Sequence, residues 1–207
     1  MESEIIKTFD EHGNYTGTAN REEVHKNGFW HETFHCWFLS RERGKNFLFF
    51  QIRSKDKKDY PDLLDITAAG HLLAHETVED GIREIEEELG VTMSFVELAS
   101  LGIIRNSIIT ETMSDNELSH VFVLVFEDSL TKFNLQKEEV AGIVRVDLDD
   151  FEYLWFGDAE EIHAEGFVVD HYGKKVTTAK LVRKSDFVKH VDSYFQHVIE
   201  RIREILK

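Results

Sequence analysis

The run Phe47-Leu48-Phe49-Phe50-Gln51-Ile52 constrains the fold more than any other segment. Aromatic and aliphatic residues with one polar interruption are the pattern of a strand covered on both faces. Thr33–Leu39 reads as a second aromatic and aliphatic strand just before it. Ile5–Phe9 and Tyr15–Ala19 flank Glu11-His12-Gly13-Asn14 and predict a hairpin turning at Gly13. Phe95–Arg105, His120–Glu127 and Ala141–Val146 predict further strands, and Thr77–Leu89 a helix. Near the C-terminus Val191, Tyr194, Phe195, Val198, Ile199, Ile202, Ile205 and Leu206 recur at spacings of three and four, the stripe of an amphipathic helix. Alternating strands and helices imply a mixed α/β sandwich. There is no repeat and no Gly/Ser/Pro-rich linker, so residues 1–207 are expected to form one domain. The C-terminal helix is expected to pack on its own chain; monomer and homodimer both stay open.

Composition restricts the partners. Forty Asp and Glu against 24 Lys and Arg give a formal charge of −16. Such a chain repels nucleic-acid backbones and anionic membranes, so neither is an expected partner. A small anionic substrate is compatible only where metal ions or a few local cations neutralise it. The single cysteine, Cys36, excludes an internal disulfide and suits a reducing compartment. The opening MESEIIKTFDEHG lacks the apolar run of a signal peptide, and no stretch reaches ~18 apolar residues. A soluble, cytoplasmic protein is expected.

The helix over Thr77–Leu89 has two unlike sides. At about 100° per residue, Val78, Ile82, Ile85 and Leu89 form a narrow apolar stripe, while Glu84, Glu87 and Glu88 lie opposite. Thr77, with Asp80 three residues on, predicts an N-terminal cap, and Gly90 a left-handed end. Carboxylates crowded on one face repel each other. They are either a solvated acidic face or a site for hard cations such as Mg²⁺, which prefer carboxylate oxygens and phosphates.

The string GHLLAHETVEDGIREIEEELGV, Gly70 to Val91, resembles the Nudix box, through Gly70, Glu76, Arg83, Glu84, Ile85, Glu87, Glu88, Gly90 and Val91. It departs from the box in having six residues, not seven, between Glu76 and Arg83. The resemblance implies a Nudix-type α/β/α sandwich with a mixed sheet. It divides the chain into an N-terminal hairpin extension (1–29), a Nudix core (30–155) and a C-terminal extension ending in a helix (156–207).

A second likeness runs from about Ile5 to Asp149. Gly13-Asn14-Tyr15-Thr16-Gly17-Thr18, His25, Trp30-His31, Arg53, Lys57, Pro61, Ala69-Gly70-His71 and Asp115-Asn116-Glu117 resemble isopentenyl-diphosphate isomerases, which use the same fold for proton transfer. In that group the residues matching His25, His31, His71, Asp115 and Glu117 surround a divalent metal, and those matching Arg53 and Lys57 hold the diphosphate. The isomerase cysteine is replaced by Ala69 and its tyrosine aligns with Arg105, which argues against isomerisation. The complete Glu helix argues the same way.

The resemblance therefore implies a hydrolase that cleaves a diphosphate linkage of a small organic or nucleoside diphosphate by metal-activated water. An isomerase-like enzyme and a non-catalytic ligand-binding module are the alternatives. Glu84, Glu87, Glu88 and the Gly70 carbonyl are the expected ligands of Mg²⁺ or Mn²⁺. Arg83 is expected to orient Glu76. Arg53, Lys57 and His71 are the expected substrate contacts, and Glu88, Glu138, Glu139 or Glu117 the general base, Glu139 being placed in the catalytic set with Glu87, Glu88 and Arg83. His31 and His35 share strand parity and are expected to form a packed, hydrogen-bonded pair. His163, His171, His190 and His197 carry no spacing signal.

Overall fold

The computed structural model describes residues 4–110 and 114–207. The central element is the 13-residue strand β3 (Trp30–Glu42). Along one edge it pairs in parallel with β8 (Ser114–Val125). Its other contacts are antiparallel: with β1 (Ile5–Phe9) at Trp30 and His31, with β6 (Ala68–His71) over Thr33–Cys36, and with β4 (Lys45–Arg53) over Leu39–Glu42. β1 carries the predicted hairpin partner β2 (Tyr15–Asn20), and β8 pairs outward with β7 (Ala99–Ile109). β4 continues to β5 (Leu64–Ile66) and to β9 (Val140–Asp147), then through β10 (Ile162–Val169) to the edge strand β11 (Lys175–Val182).

Strict alternation on β3 and β4 feeds two apolar layers. Phe34, Cys36, Phe38 and Phe49 pack on one side with Ile85 and Leu89 of α2 (Arg83–Leu89). Trp37, Leu39, Leu48, Phe50 and Ile52 pack on the other with α3 (Leu148–Phe156) and α4 (Asp192–Ile205). Both strands are thus covered on both faces, and the α/β/α sandwich holds. Tyr194, Phe195, Val198, Ile199 and Ile202 of α4 are buried within the chain. No helix among the described residues is long and apolar enough to cross a membrane.

Several local expectations need correction. Phe95–Arg105 is not one strand: Phe95–Glu97 is a 3₁₀ turn opened by a Ser94–Glu97 capping box, and β7 starts at Ala99. A short helix α1 (Arg21–Asn27), capped by Asn20 and ended by left-handed Gly28, follows the hairpin. The Thr77–Leu89 helix is 3₁₀ over Glu79–Ile82 and α-helical only from Arg83. Thr77 does not cap it by accepting a bond; its N–H and Oγ1 both donate to Asp80 Oδ2 at 2.8 Å. The tighter turn advances the chain further per residue than an α-helix does. This accommodates the residue missing between Glu76 and Arg83.

The turn leaves no room for a side chain at Gly81, where a β-carbon would lie 2.7 Å from the Phe34 ring. Gly81→Ala is therefore expected to destabilise by about 1–3 kcal/mol through overpacking, measurable by denaturant titration.

Candidate active site

A cavity of about 330 Å³ opens at the N-terminal half of β3, where β6 and β8 flank it. Nine carboxylates line it against four Arg and Lys side chains among the described residues. Its walls come from α1, the box loop, α2, the loops 54–62 and 136–139, and the segment before α4.

The box supplies one wall. Arg83 grips Glu76 bidentately, Nε to Oε1 at 2.6 Å and Nη2 to Oε2 at 3.0 Å, as its planar fork favours. Nη1 donates to Glu84 at 2.6 Å and Glu87 at 3.1 Å, and Nη2 to the His71 carbonyl at 3.0 Å. One guanidinium thus ties the Gly70 loop to the acidic helix, and Glu76 reaches Arg83 despite the shortened spacing. A β-carbon on Gly70 would sit 2.1 Å from Glu84 Oε1, so glycine lets that carboxylate lie directly on the loop.

The acidic face is not solvated as a whole. Glu87 is exposed, but Glu88 is 6% exposed and Glu84 is largely covered. Glu88 Oε2 accepts only long bonds from Gln51 Nε2 and the Ala69 N–H, both at 3.3 Å. Burial first, and then the neighbouring Glu84 charge, push Glu88 up to about 8. Burial likewise pushes Glu84 up to about 7 against the pull of Arg83. Two largely covered carboxylates side by side have the chemistry to hold a hard cation.

A second cluster faces the same cavity. His25 of α1, His31 of β3, His71 of β6 and Asp115 of β8 place one ligand atom each within 4.8 Å of one another. His25 Nε2 lies 3.2 Å from His71 Nε2 and 3.6 Å from Asp115 Oδ1; His31 Nε2 lies 3.3 Å from the same oxygen. His31 Nε2 and Asp115 Oδ1 are buried and have no well-formed hydrogen bond among the described residues. Burial holds His25 and His71 below the ordinary histidine range, whereas the Asp115 carboxylate keeps His31 above it despite its burial. Three imidazoles and a carboxylate converging on one point fit a transition-metal ion.

Glu117 belongs elsewhere. It accepts from Asn106 Nδ2 at 2.9 Å and Ser119 Oγ at 3.4 Å, with His35 Nε2 at 3.7 Å. Trp37 Nε1–H donates to Tyr194 Oη, which also hydrogen-bonds His35 Nδ1 at 2.8 Å. Although burial opposes it, the adjacent His35 holds Glu117 well below the usual carboxylate range. His31 and His35 are therefore not a pair; each serves a different cluster.

Arg53 and Lys57 both reach the cavity, and neither is a solvated loop cation. Arg53 Nη1 donates to Asp65 Oδ2 at 2.7 Å and its Nε and Nη2 to the Asp59 carbonyl. Lys57 Nζ forms an ion pair with Glu139. Glu138 does not line the cavity.

His190 was not foreshadowed by any spacing. Asn106 Nδ2 donates to its Nδ1 at 3.0 Å, and its Nε2–H donates to Asp65 Oδ1 at 3.2 Å. Asp65, buried, is held well below the usual carboxylate range by His190 and Arg53. Asp65, Asn106 and Arg21, another lining residue, also lay outside the sequence reading. A buried Asp within the apolar Leu64–Ile66 stretch was the one available signal.

Ala69 lines the cavity where an isomerase has its thiol. Cys36 is fully buried in the core on the α2 side, and burial raises its thiol far above the ordinary range. Arg105 lies over the Trp30 ring and donates to the Glu11 carbonyl at the surface. Neither Ala69 nor Arg105 offers the thiol or the phenol that the isomerase likeness implies at those two positions.

A family model described as NUDIX domain matches residues 30–165. The chain belongs to the Nudix family. A Nudix hydrolase of Clostridium acetobutylicum, itself uncharacterized, is 35% identical over 204 residues, covering 99% of each chain. Nudix hydrolase 3 of Arabidopsis thaliana is 31% identical over 157 residues, of which this chain spans 20% of the plant protein. An isopentenyl-diphosphate Delta-isomerase of Aliivibrio fischeri is 30% identical over 146 residues, 68% of this chain and 78% of the isomerase. Among solved structures, a MutT protein of Methanosarcina mazei shares the Nudix fold with TM-score 0.52 at 16% identity, covering 86% of this chain and 96% of that one. A Deinococcus radiodurans protein gives 0.53 at 18% identity, over 72% and 86%.

Proposed function

We propose that this Nudix hydrolase cleaves the diphosphate linkage of a small organic or nucleoside diphosphate, with Mg²⁺ or Mn²⁺ held by Glu84, Glu87 and Glu88. The observation that carries the reading is the buried Glu84–Glu88 pair, raised to about 7 and about 8, in a cavity whose lining is already acid-rich. An anionic substrate cannot enter such a cavity unless cations enter as well. Divalent ions held there would screen the phosphate oxygens and acidify a coordinated water.

The chain's own residues do the rest. Arg83 fixes Glu76, Glu84 and Glu87 in one frame, and the Gly70 backbone completes the metal wall. Lys57 and Arg53 face the diphosphate, with His71 beside them. Glu139, beside Lys57, stands as the general base that takes the water proton, on a loop tied to the end of α2 by Asn134 N–H to Leu89 O and Gln136 N–H to Glu88 O bonds. The His25–His31–His71–Asp115 cluster is a second cation site, softer than the glutamate set. We read the whole chain as one functional unit, since both flanks of the family match supply cavity residues.

Phosphate release from nucleotide-sugar, dinucleotide, thiamine and prenyl diphosphates, with Mg²⁺ and with Mn²⁺, tests the reading. Metal-dependent release from at least one compound is expected. An isomerised prenyl product without release would favour the isomerase, and binding without turnover the ligand-binding module. Lys57→Met is expected to raise KM about tenfold or more with a smaller change in kcat, as loss of a charged phosphate contact does.

A further inference from the structure

Residues 54–63 cross the cavity mouth between β4 and β5. Arg53 holds this strap at both its backbone and its side chain. Its N–H donates to the Leu63 carbonyl at 2.9 Å, its carbonyl accepts from the Asp62 N–H at 3.2 Å, and its guanidinium grips the Asp59 carbonyl at 2.9 and 3.2 Å. Within the strap Tyr60 has φ +53° and Asp62 φ +63°. A bulky aromatic rarely occupies the left-handed region, and Pro61 restricts Tyr60 further. Such conformations persist where the surroundings over-determine them, and they cluster at ligand clamps.

Tyr60 is half-buried and lines the cavity. Asp59, Asp65, Asp115 and Arg53 line the cavity with it. Its hydroxyl has no hydrogen-bond partner among the described residues. Ile108, opposite Asp115 across β7 and β8, and Val188, whose N–H donates to the Leu64 carbonyl, line the same cavity.

We propose that Tyr60 is the specificity-determining residue: its ring, carried on the strap whose backbone Arg53 holds, is the wall against which the group carried on the diphosphate packs. The inference rests on the hydrolase reading and names what that site selects. With Ile108 and Val188 also lining the cavity, the group expected is a compact organic one with an apolar face.

The test compares native protein, Tyr60→Ala and Tyr60→Phe on a prenyl diphosphate and on ADP. Two ratios are read: kcat/KM for the pair, and Kd for their methylene-bridged, non-hydrolysable analogues with Mg²⁺. Tyr60→Ala is expected to shift selectivity about tenfold towards the bulkier compound, with Tyr60→Phe within about threefold of native. A Tyr60→Ala ratio within about twofold of native in both readouts would overturn the proposal. Should Tyr60→Ala fail to fold, Tyr60→Asn, which tolerates the left-handed region, takes its place. Where the native protein binds these two compounds without turnover, the Kd ratio alone decides Tyr60, and the wider phosphate-release panel decides the hydrolase reading. If neither analogue binds, the assignment of Tyr60 falls.

Discussion

Glu87→Gln and Glu88→Gln are each expected to lower kcat at least ~10²-fold at saturating metal while leaving the fold intact. The two substitutions reach this end from different surroundings. Glu87 is exposed and held only by Arg83 at 3.1 Å, so glutamine there removes charge and little else. Glu88 is buried beside Ala69 and Gln51, which both donate to its Oε2, so an amide oxygen in that place keeps the acceptor for both. What both lose is the negative charge that makes a divalent cation stay. Steady-state kinetics with melting curves on the same samples separates lost chemistry from lost structure. Turnover that survived both changes would falsify the glutamate metal site.

The second large effect is on stability. A carboxyl near 4.3 in the unfolded chain but about 8 when folded keeps its proton in the native state over a range where the unfolded state has released it. Native protein then binds more protons than unfolded, so stability falls as pH rises from about 4 to 8 and stays low above that. Glu84, raised to about 7, adds in the same direction. For a buried group the loss amounts to a few kcal/mol at most, on the order set by 1.4 kcal/mol per unit. Histidines and the depressed Asp65 and Glu117 also titrate, so the informative quantity is the difference between native and Glu88→Gln. Without metal, that gap should widen in favour of the glutamine variant up to about pH 8. Millimolar Mg²⁺ or Mn²⁺ should raise the native melting temperature and close the gap, because ligands that bind only the folded state stabilise it. A native curve unmoved by either metal would contradict the proposal.

What was legible in the chain was whatever lies close together along it. Gly70, Glu76, Arg83 and the glutamates share 19 consecutive residues, so spacing carried the helix and its apolar stripe, and the likeness to the Nudix box carried the Arg83–Glu76 bond. The both-face burial of Phe47–Ile52 followed from composition. Illegible were contacts made by the return of distant segments. His190 meets Asp65 across 125 positions and Asn106 across 84, and nothing in its neighbours' pattern marks it. The parity rule put His31 and His35 on one face correctly but could not say that β8 brings Asp115 to one and Glu117 near the other. The 3₁₀ turn over Glu79–Ile82 was hidden because its apolar positions suit either helix type. α1 escaped because seven residues give too few turns for a period to register.

Two flanks of the cavity lie outside the span shared with the family, residues 30–165. From the front come His25 and Arg21, and Lys7, whose Nζ braces the Glu76 carbonyl at 2.7 Å. From the back come Val188 and His190, delivered by the chain entering α4. A version trimmed to 30–165 would retain every glutamate of the box yet stand open to bulk water on both sides, a blade without its handle. A substitution near either end therefore reaches the cavity without touching the glutamate helix.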